Sequence, residues 1–151
     1  MIPYILSIDA GTTGITVLIL DKNAVIRRKY YKEFTQYYPQ PGWVEHDGEE
    51  IWDVTYKLIQ SAFQDYSPKD CAGIGITNQR ETTLIWNRKT GQPIFNAIVW
   101  QCRRTHEICK NLQQAGNEDI FRKKTIIIIK IIIQKTSSCF VGKHLSYLLS
   151  P

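Results

Sequence analysis

Three runs of strand-forming residues fill the first 34 positions with almost nothing between them. Tyr4-Ile5-Leu6-Ser7-Ile8-Asp9 is followed by Ala10-Gly11-Thr12-Thr13-Gly14, then by Ile15 to Leu20, then by Asp21-Lys22-Asn23 and a more polar run from Ala24 to Phe34. A parallel neighbour needs a crossover of roughly a dozen residues, so connections this short force an antiparallel meander. Pro39-Gln40-Pro41-Gly42 then breaks the pattern as an ordered loop. Asp47 with Glu50 three positions on forms a capping-box-like helix start, and Ile51, Val54, Leu58, Ile59, Ala62 and Phe63 recur at helical spacing until Ser67-Pro68. By composition Ala72 to Thr77 is a buried strand and Thr82 to Trp86 another, closed by an Arg88-Lys89-Thr90-Gly91 turn. A second helix is predicted over about Arg103 to Ala115, with Gly116 as its stop. The order βββαββα predicts an α/β fold with a mixed sheet.

The chain has 151 residues, 43% hydrophobic and 22% charged, which predicts one globular domain. No apolar run reaches the ~18 residues of a bilayer span, so no membrane association is expected. Met1-Ile2-Pro3-Tyr4 has the form of no secretory signal, and four cysteines in a chain this long do not read as a disulfide framework, so a cytoplasmic setting is expected. The net charge of +5 is unevenly spread: residues 1–125 hold 16 Lys/Arg against 14 Asp/Glu, while residues 126–151 add Lys130, Lys135 and Lys143 with no acid. No basic stripe interleaved with aromatics precedes that tail. Nucleic acid is therefore not an expected partner. After Thr125 the character changes, with seven isoleucines in the eight positions 126–133. Residues 1–125 are expected to form the folded portion and 126–151 a divergent, isoleucine-rich tail.

Three segments carry chemistry. Asp9-Ala10-Gly11-Thr12-Thr13-Gly14 lies between two strands; its glycines permit a tight turn whose N–H groups and two hydroxyls can face a phosphate, with Asp9 placed to hold Mg²⁺ beside it. Taken alone it is equally a glycine hairpin capped by an aspartate. In Asn78-Gln79-Arg80-Glu81-Thr82-Thr83 the adjacent Arg and Glu offer a forked donor and acceptor for a polyol, or a plain surface ion pair. In Asn96-Ala97-Ile98-Val99-Trp100-Gln101-Cys102-Arg103-Arg104 the Trp100 ring can face the carbon backbone of a small substrate, or pack in a core. Arg103 and Arg104 at a helix start oppose its dipole, which points to a facing acid or anion. Cys102, His106 and Cys109 share a helix face, but Cys102 and Cys109 stand about 10 Å apart along the axis, too far for one tetrahedral ion. His46 and His144 have no evident acid or nucleophile, and Cys71 and Cys139 no partner motif.

Together with Tyr38-Pro39-Gln40-Pro41-Gly42-Trp43-Val44-Glu45-His46-Asp47, these segments resemble the N-terminal lobe of the glycerol kinases, within the FGGY family of carbohydrate kinases, over about residues 3–125. The resemblance implies an incomplete actin-like (ribonuclease H-like) lobe, half of a cleft that binds MgATP and glycerol and yields sn-glycerol 3-phosphate. On matching positions it implies that Thr12 and Thr13 are phosphate-loop hydroxyls, that Asp9 lies near the metal, and that Arg80, Glu81 and Trp100 contact glycerol. Those glycerol-type residues argue against another sugar as substrate. The full-length family is compatible with homo-oligomers.

Two departures from the family pattern follow. Where many relatives have Ser-Ser-Arg after the threonines, this chain has Gly14-Ile15-Thr16, so an arginine contact to nucleotide phosphate is missing at Thr16. Past Thr125 the family's glycerol-contacting Tyr, its catalytic Asp and its adenine pocket find no counterpart, and Tyr147 sits in no matching motif. No catalytic residue is therefore assigned. The expectation is a fragment, ended by a frameshift or truncation near Thr125 and inert alone, or else a non-catalytic module that binds glycerol or phosphate or pairs with a complete subunit.

Overall fold

The structure, a computed structural model, describes residues 3–125; the isoleucine run, Cys139, His144 and Tyr147 lie outside the described residues. Strands β1 (Tyr4–Ala10), β2 (Gly14–Asp21) and β3 (Ile26–Glu33) form the expected antiparallel meander. A two-residue strand β4 (Glu45–His46) precedes helix α1 (Gly48–Asp65), which crosses to strand β5 (Cys71–Thr77). Then come β6 (Ala97–Ile98), α2 (His106–Gln114) and α3 (Glu118–Thr125). The main sheet has the order β3-β2-β1-β5 with β5 parallel to β1, and β4 pairs with β6 in a second, small sheet.

Alternation along β1 and β2 decides where the core lies. Leu6 pairs with Ile19 and Ile8 with Val17, and this face is buried against Val54, Leu58, Ile59 and Ala62 of α1, with Phe34. Each of the larger aliphatic and aromatic side chains among these contributes roughly 1.5–3 kcal/mol by leaving water. The opposite face carries Ile5, Ser7 and Asp9, and Ile5 is 47% exposed. Gly14 is required where β3 crosses closely, since a Cβ there would sit 2.6 Å from the Lys32 carbonyl oxygen.

Several element boundaries differ from expectation for identifiable reasons. The third strand starts at Ile26, because the Asp21 carboxylate accepts from the Asn23 and Val25 amides (2.8 and 3.0 Å) and ties residues 21–25 into a turn with Ala24 at φ 60°. The Val25 amide is the chief cause that holds this carboxyl below the usual range. Asp47 does cap α1, accepting from the Glu49 amide at 2.9 Å, but Glu50 closes no box. Its Oε1 instead accepts from the Thr35 amide and hydroxyl (3.0 and 2.9 Å), because the chain leaving β3 passes the helix start. The run at 72–77 is a strand but an edge one, not buried: Ile76 is exposed, and Gly73 and Gly75 face open space. Thr82 to Trp86 is no continuous strand and makes only single bridges, Thr83 to Ile98 and Trp86 to Pro93. Helix α2 begins at His106, since the Arg103 amide donates to the Gly42 carbonyl and keeps residues 103–105 out of the helix. It ends as expected at Gly116 (φ 73°), with Asn117 N–H donating to Leu112 O and Gly116 N–H to Gln113 O. Helix α3 carries too short an apolar stripe to stand out in the sequence. Among the described residues no helix is long and apolar enough to cross a membrane.

The face assignment is testable by a pair of substitutions in neighbouring residues of β1. Leu6→Ala is expected to lower unfolding stability by about 2–5 kcal/mol, and Ile5→Ala by about 1 kcal/mol or less, in urea denaturation. Similar losses at both positions would contradict the one-sided core.

Candidate functional site

Two parallel strands deliver the first two chemical segments to one end of the sheet. Asp9 pairs with Thr77, so the turn after β1 (residues 11–13) and the loop after β5 (residues 78–83) emerge side by side at the strands' carboxyl ends. Asp9 also pairs with Thr16 across the meander, which places the two on one face, away from α1. Asp9 and Thr13 are exposed and Thr12 half-buried, and the turn is closed by Gly11 N–H donating to Gly14 O (3.1 Å).

The small sheet brings in the third segment. Glu45 and Ile98 pair in β4–β6, Tyr37 bridges to Glu45 on one side, and Thr83 bridges to Ile98 on the other. The loop at 78–83 and the segment at 96–104 are thereby fastened to one platform. Trp100 leaves that platform 49% exposed, rather than packing in the core, and its Nε1–H donates to Thr12 Oγ1 at 3.1 Å. An indole N–H only donates, so Thr12 accepts there and keeps its own hydroxyl hydrogen for another acceptor.

Arg80 is exposed and, among the described residues, neither it nor Glu81 is in an ion pair, so the surface-pair alternative is not what the loop forms. Glu81 has φ 56°, in the left-handed region. A non-glycine residue held there costs on the order of 1–3 kcal/mol, and such strain concentrates where side-chain direction matters.

The residues under these loops carry no signal in sequence spacing. Glu45, 3% exposed, accepts from Arg104 Nη2 (2.6 Å) through Oε1 and from Asn96 Nδ2 (3.1 Å) through Oε2. Arg104 also lies 3.8 Å from the centroid of the Trp43 ring, and its Nε donates to Cys102 Sγ at 3.0 Å. The acid expected to face this arginine is thus Glu45, although the arginine precedes α2 rather than opening it. Burial alone would push the Cys102 thiol up; hydrogen bonds from the Arg104 and Val44 amides and the Arg104 guanidinium outweigh it and hold the thiol below its ordinary value. Cys109 is buried and His106 exposed. Among the described residues no three His, Cys, Asp or Glu side chains gather as a metal cage.

On the other side of β4, His46 is fully buried, its ring edge-on to Phe34 with centroids 4.9 Å apart. Its Nε2 lies 2.6 Å from Gln36 Oε1 and its Nδ1 3.3 Å from Gln79 Nε2. Gln36 Nε2 donates to Thr12 O (3.1 Å), Gln79 Nε2 to Gly11 O (3.3 Å), and the Thr82 hydroxyl to Gln79 Oε1 (2.8 Å). Burial pushes the imidazole down to about 4, against a smaller upward pull from the Glu50 carboxylate.

Residues 4–137 match the N-terminal domain of the FGGY family of carbohydrate kinases. A glycerol kinase of Leptospira biflexa serovar Patoc (strain Patoc 1 / Ames) is 53% identical over 128 residues, 83% of this chain and 26% of the relative. The crystal structure of Plasmodium falciparum glycerol kinase with ADP superimposes with a TM-score of 0.79 at 35% identity, over 86% of this chain and 27% of that one. Gluconate kinase from Lactobacillus acidophilus shares the fold at 21% identity and a TM-score of 0.78, over 85% of this chain and 26% of that one. The chain thus spans about a quarter of the length of the relatives it matches.

The depressed His46 value has a stability consequence. Between about 6.5, its ordinary value, and about 4, the unfolded chain takes up a proton that the folded chain refuses. Stability is therefore expected to fall as pH drops through this window, by on the order of 2–3 kcal/mol from this residue. Urea denaturation at stepped pH checks this, and a flat profile from pH 6.5 to 4 would contradict it.

Proposed function

The chain belongs to the FGGY family of carbohydrate kinases, whose fold is actin-like, and from that premise we propose that it forms one wall of an ATP-dependent glycerol kinase site. The observation that carries this reading is the Trp100–Thr12 hydrogen bond, which joins residues 88 positions apart. Phosphoryl transfer needs an acceptor alcohol held next to a phosphate cradle, and its catalysis is mostly positioning and charge stabilisation. Here a hydroxyl-bearing turn and an exposed aromatic ring are joined by that bond, and the loop that carries Arg80 and Glu81 is bridged to the same platform through Thr83 and Ile98.

In this reading Thr12 and Thr13 donate to phosphate oxygens of ATP, with turn amides beside them. Arg80 and Glu81 take glycerol hydroxyls, and the Trp100 ring covers the carbon chain. Asp9 is a single exposed carboxylate, which suits Mg²⁺, a cation commonly held by one or two carboxylates together with substrate phosphates and water. When bound, that ion would neutralise charge on the transferring phosphoryl group. Thr16, where many relatives have an arginine, removes one phosphate contact and weakens nucleotide binding.

The same reading assigns no base to these 151 residues. A missing general base alone costs about 10²–10⁴ in rate, and a one-sided cleft also loses orientation and water exclusion. Glycerol titration of the 151-residue chain is expected to show weak but saturable binding, reduced about tenfold or more by Arg80→Ala, Glu81→Gln or Trp100→Ala. An assay with MgATP and glycerol is expected to show no turnover from this chain alone. Glycerol affinity unchanged in all three variants would remove the polyol assignment; turnover by the isolated chain would remove the one-wall reading.

A further inference from the structure

His46 belongs to none of the groups expected to touch substrate, yet it is the point where two loops are joined. Gln36 spends its Nε2 hydrogens on the carbonyls of Thr12 (3.1 Å) and Phe34 (3.4 Å), so its Oε1 must accept from His46 Nε2. Gln79 accepts through Oε1 from the Thr82 hydroxyl and donates through Nε2 to Gly11 O and to His46 Nδ1. Only one arrangement satisfies every partner: a neutral ring with its hydrogen on Nε2 and a bare, accepting Nδ1.

The two glutamine amides pull the carbonyls of Gly11 and Thr12 toward the ring. Among the described residues every peptide bond is trans, and a planar trans peptide points its N–H opposite to its C=O. The amides of Thr12 and Thr13 are therefore turned away from His46, toward the side on which a phosphate would lie. We propose that His46, as its Nε2–H tautomer, is a positioning residue that locks the Gly11–Thr12 turn to the Gln79–Thr82 loop through Gln36 and Gln79. The inference rests on reading those loops as phosphate and polyol sites, and it explains how both are held in one geometry. A proton added at Nδ1 would meet the Gln79 amide donor head-on and release that side of the lock. Among the described residues the charge that acts on the ring is the Glu50 carboxylate at the start of α1, which itself accepts from Thr35. Glu45, next to it in β4, turns its carboxylate to Arg104 and Asn96 on the opposite face.

The test uses the full 151-residue chain, ¹⁵N-labelled at histidine and backbone. Long-range ¹H–¹⁵N spectra are expected to show His46 with Nε2 protonated and Nδ1 bare from about pH 7.5 to about pH 5. Averaged nitrogens, hydrogen on Nδ1, or titration near about pH 6.5 would overturn the proposal. Truncating His46 risks the core, so coupling is read from Gln36→Met, at a half-buried position. This variant is expected to speed amide exchange at Thr12 and Thr13, to shift the Gln79–Thr82 amides, and to weaken MgATP binding about five- to tenfold. Changes confined to the neighbours of residue 36, with Gln79–Thr82 unmoved, would overturn it. If the unsubstituted chain binds no MgATP, the functional reading fails, and the tautomer and the exchange pattern still decide the role of His46.

Discussion

The site depends on two adjacent buried polar side chains that face opposite ways. In β4, Glu45 and His46 occupy successive strand positions, so the pleat sends one carboxylate and one imidazole to opposite sides. Glu45 holds Arg104 and Asn96, and with them the segment that presents Trp100. His46 holds Gln36 and Gln79, and with them the turn after β1 and the loop after β5. Neither group could stay buried unpartnered, since an unsatisfied polar atom in a core costs about 1–3 kcal/mol and more if charged. Among the described residues no buried side-chain nitrogen or oxygen lacks a partner. The cost of burying these polar groups is thus offset only when all three segments are in place, and folding of the platform and assembly of the site become one event.

The main sheet supplies a different constraint. An antiparallel meander can be closed by short turns, but it cannot by itself bring a distant loop beside its first turn. The long α1 crossover does so by returning the chain as β5 parallel to β1, with both strands ending at the same edge. Ligand sites of open sheets with parallel neighbours lie at such carboxyl ends. Pinning Thr83 to Ile98 then fixes the depth at which Arg80 and Glu81 sit. The left-handed backbone at Glu81 is a local cost that this pinning offsets.

Much of the framework was legible in the residues. Chain stiffness and connection length dictate the meander, the periodicity of Ile51 to Phe63 dictates α1, and Gly116 ends α2 because it tolerates a positive φ. The three chemical segments were also visible, since a glycine turn with hydroxyls, an Arg–Glu pair and a lone Trp are unusual enough to notice locally. Their alternatives stayed open, because a tryptophan in a core and one beside a ligand look alike in sequence.

What residue order determined by itself is therefore local: which stretches extend, which coil, and which carry unusual donors and acceptors. Tertiary structure alone decided that β5 is an edge strand, that Trp100 reaches Thr12, and that His46 is a neutral, two-sided hydrogen-bonding strut. The physical reason is that burial and pairing are properties of neighbours. Gln36, His46 and Gln79 stand at no fixed spacing, and nothing in their identity says that they meet until two sheets place them around one imidazole.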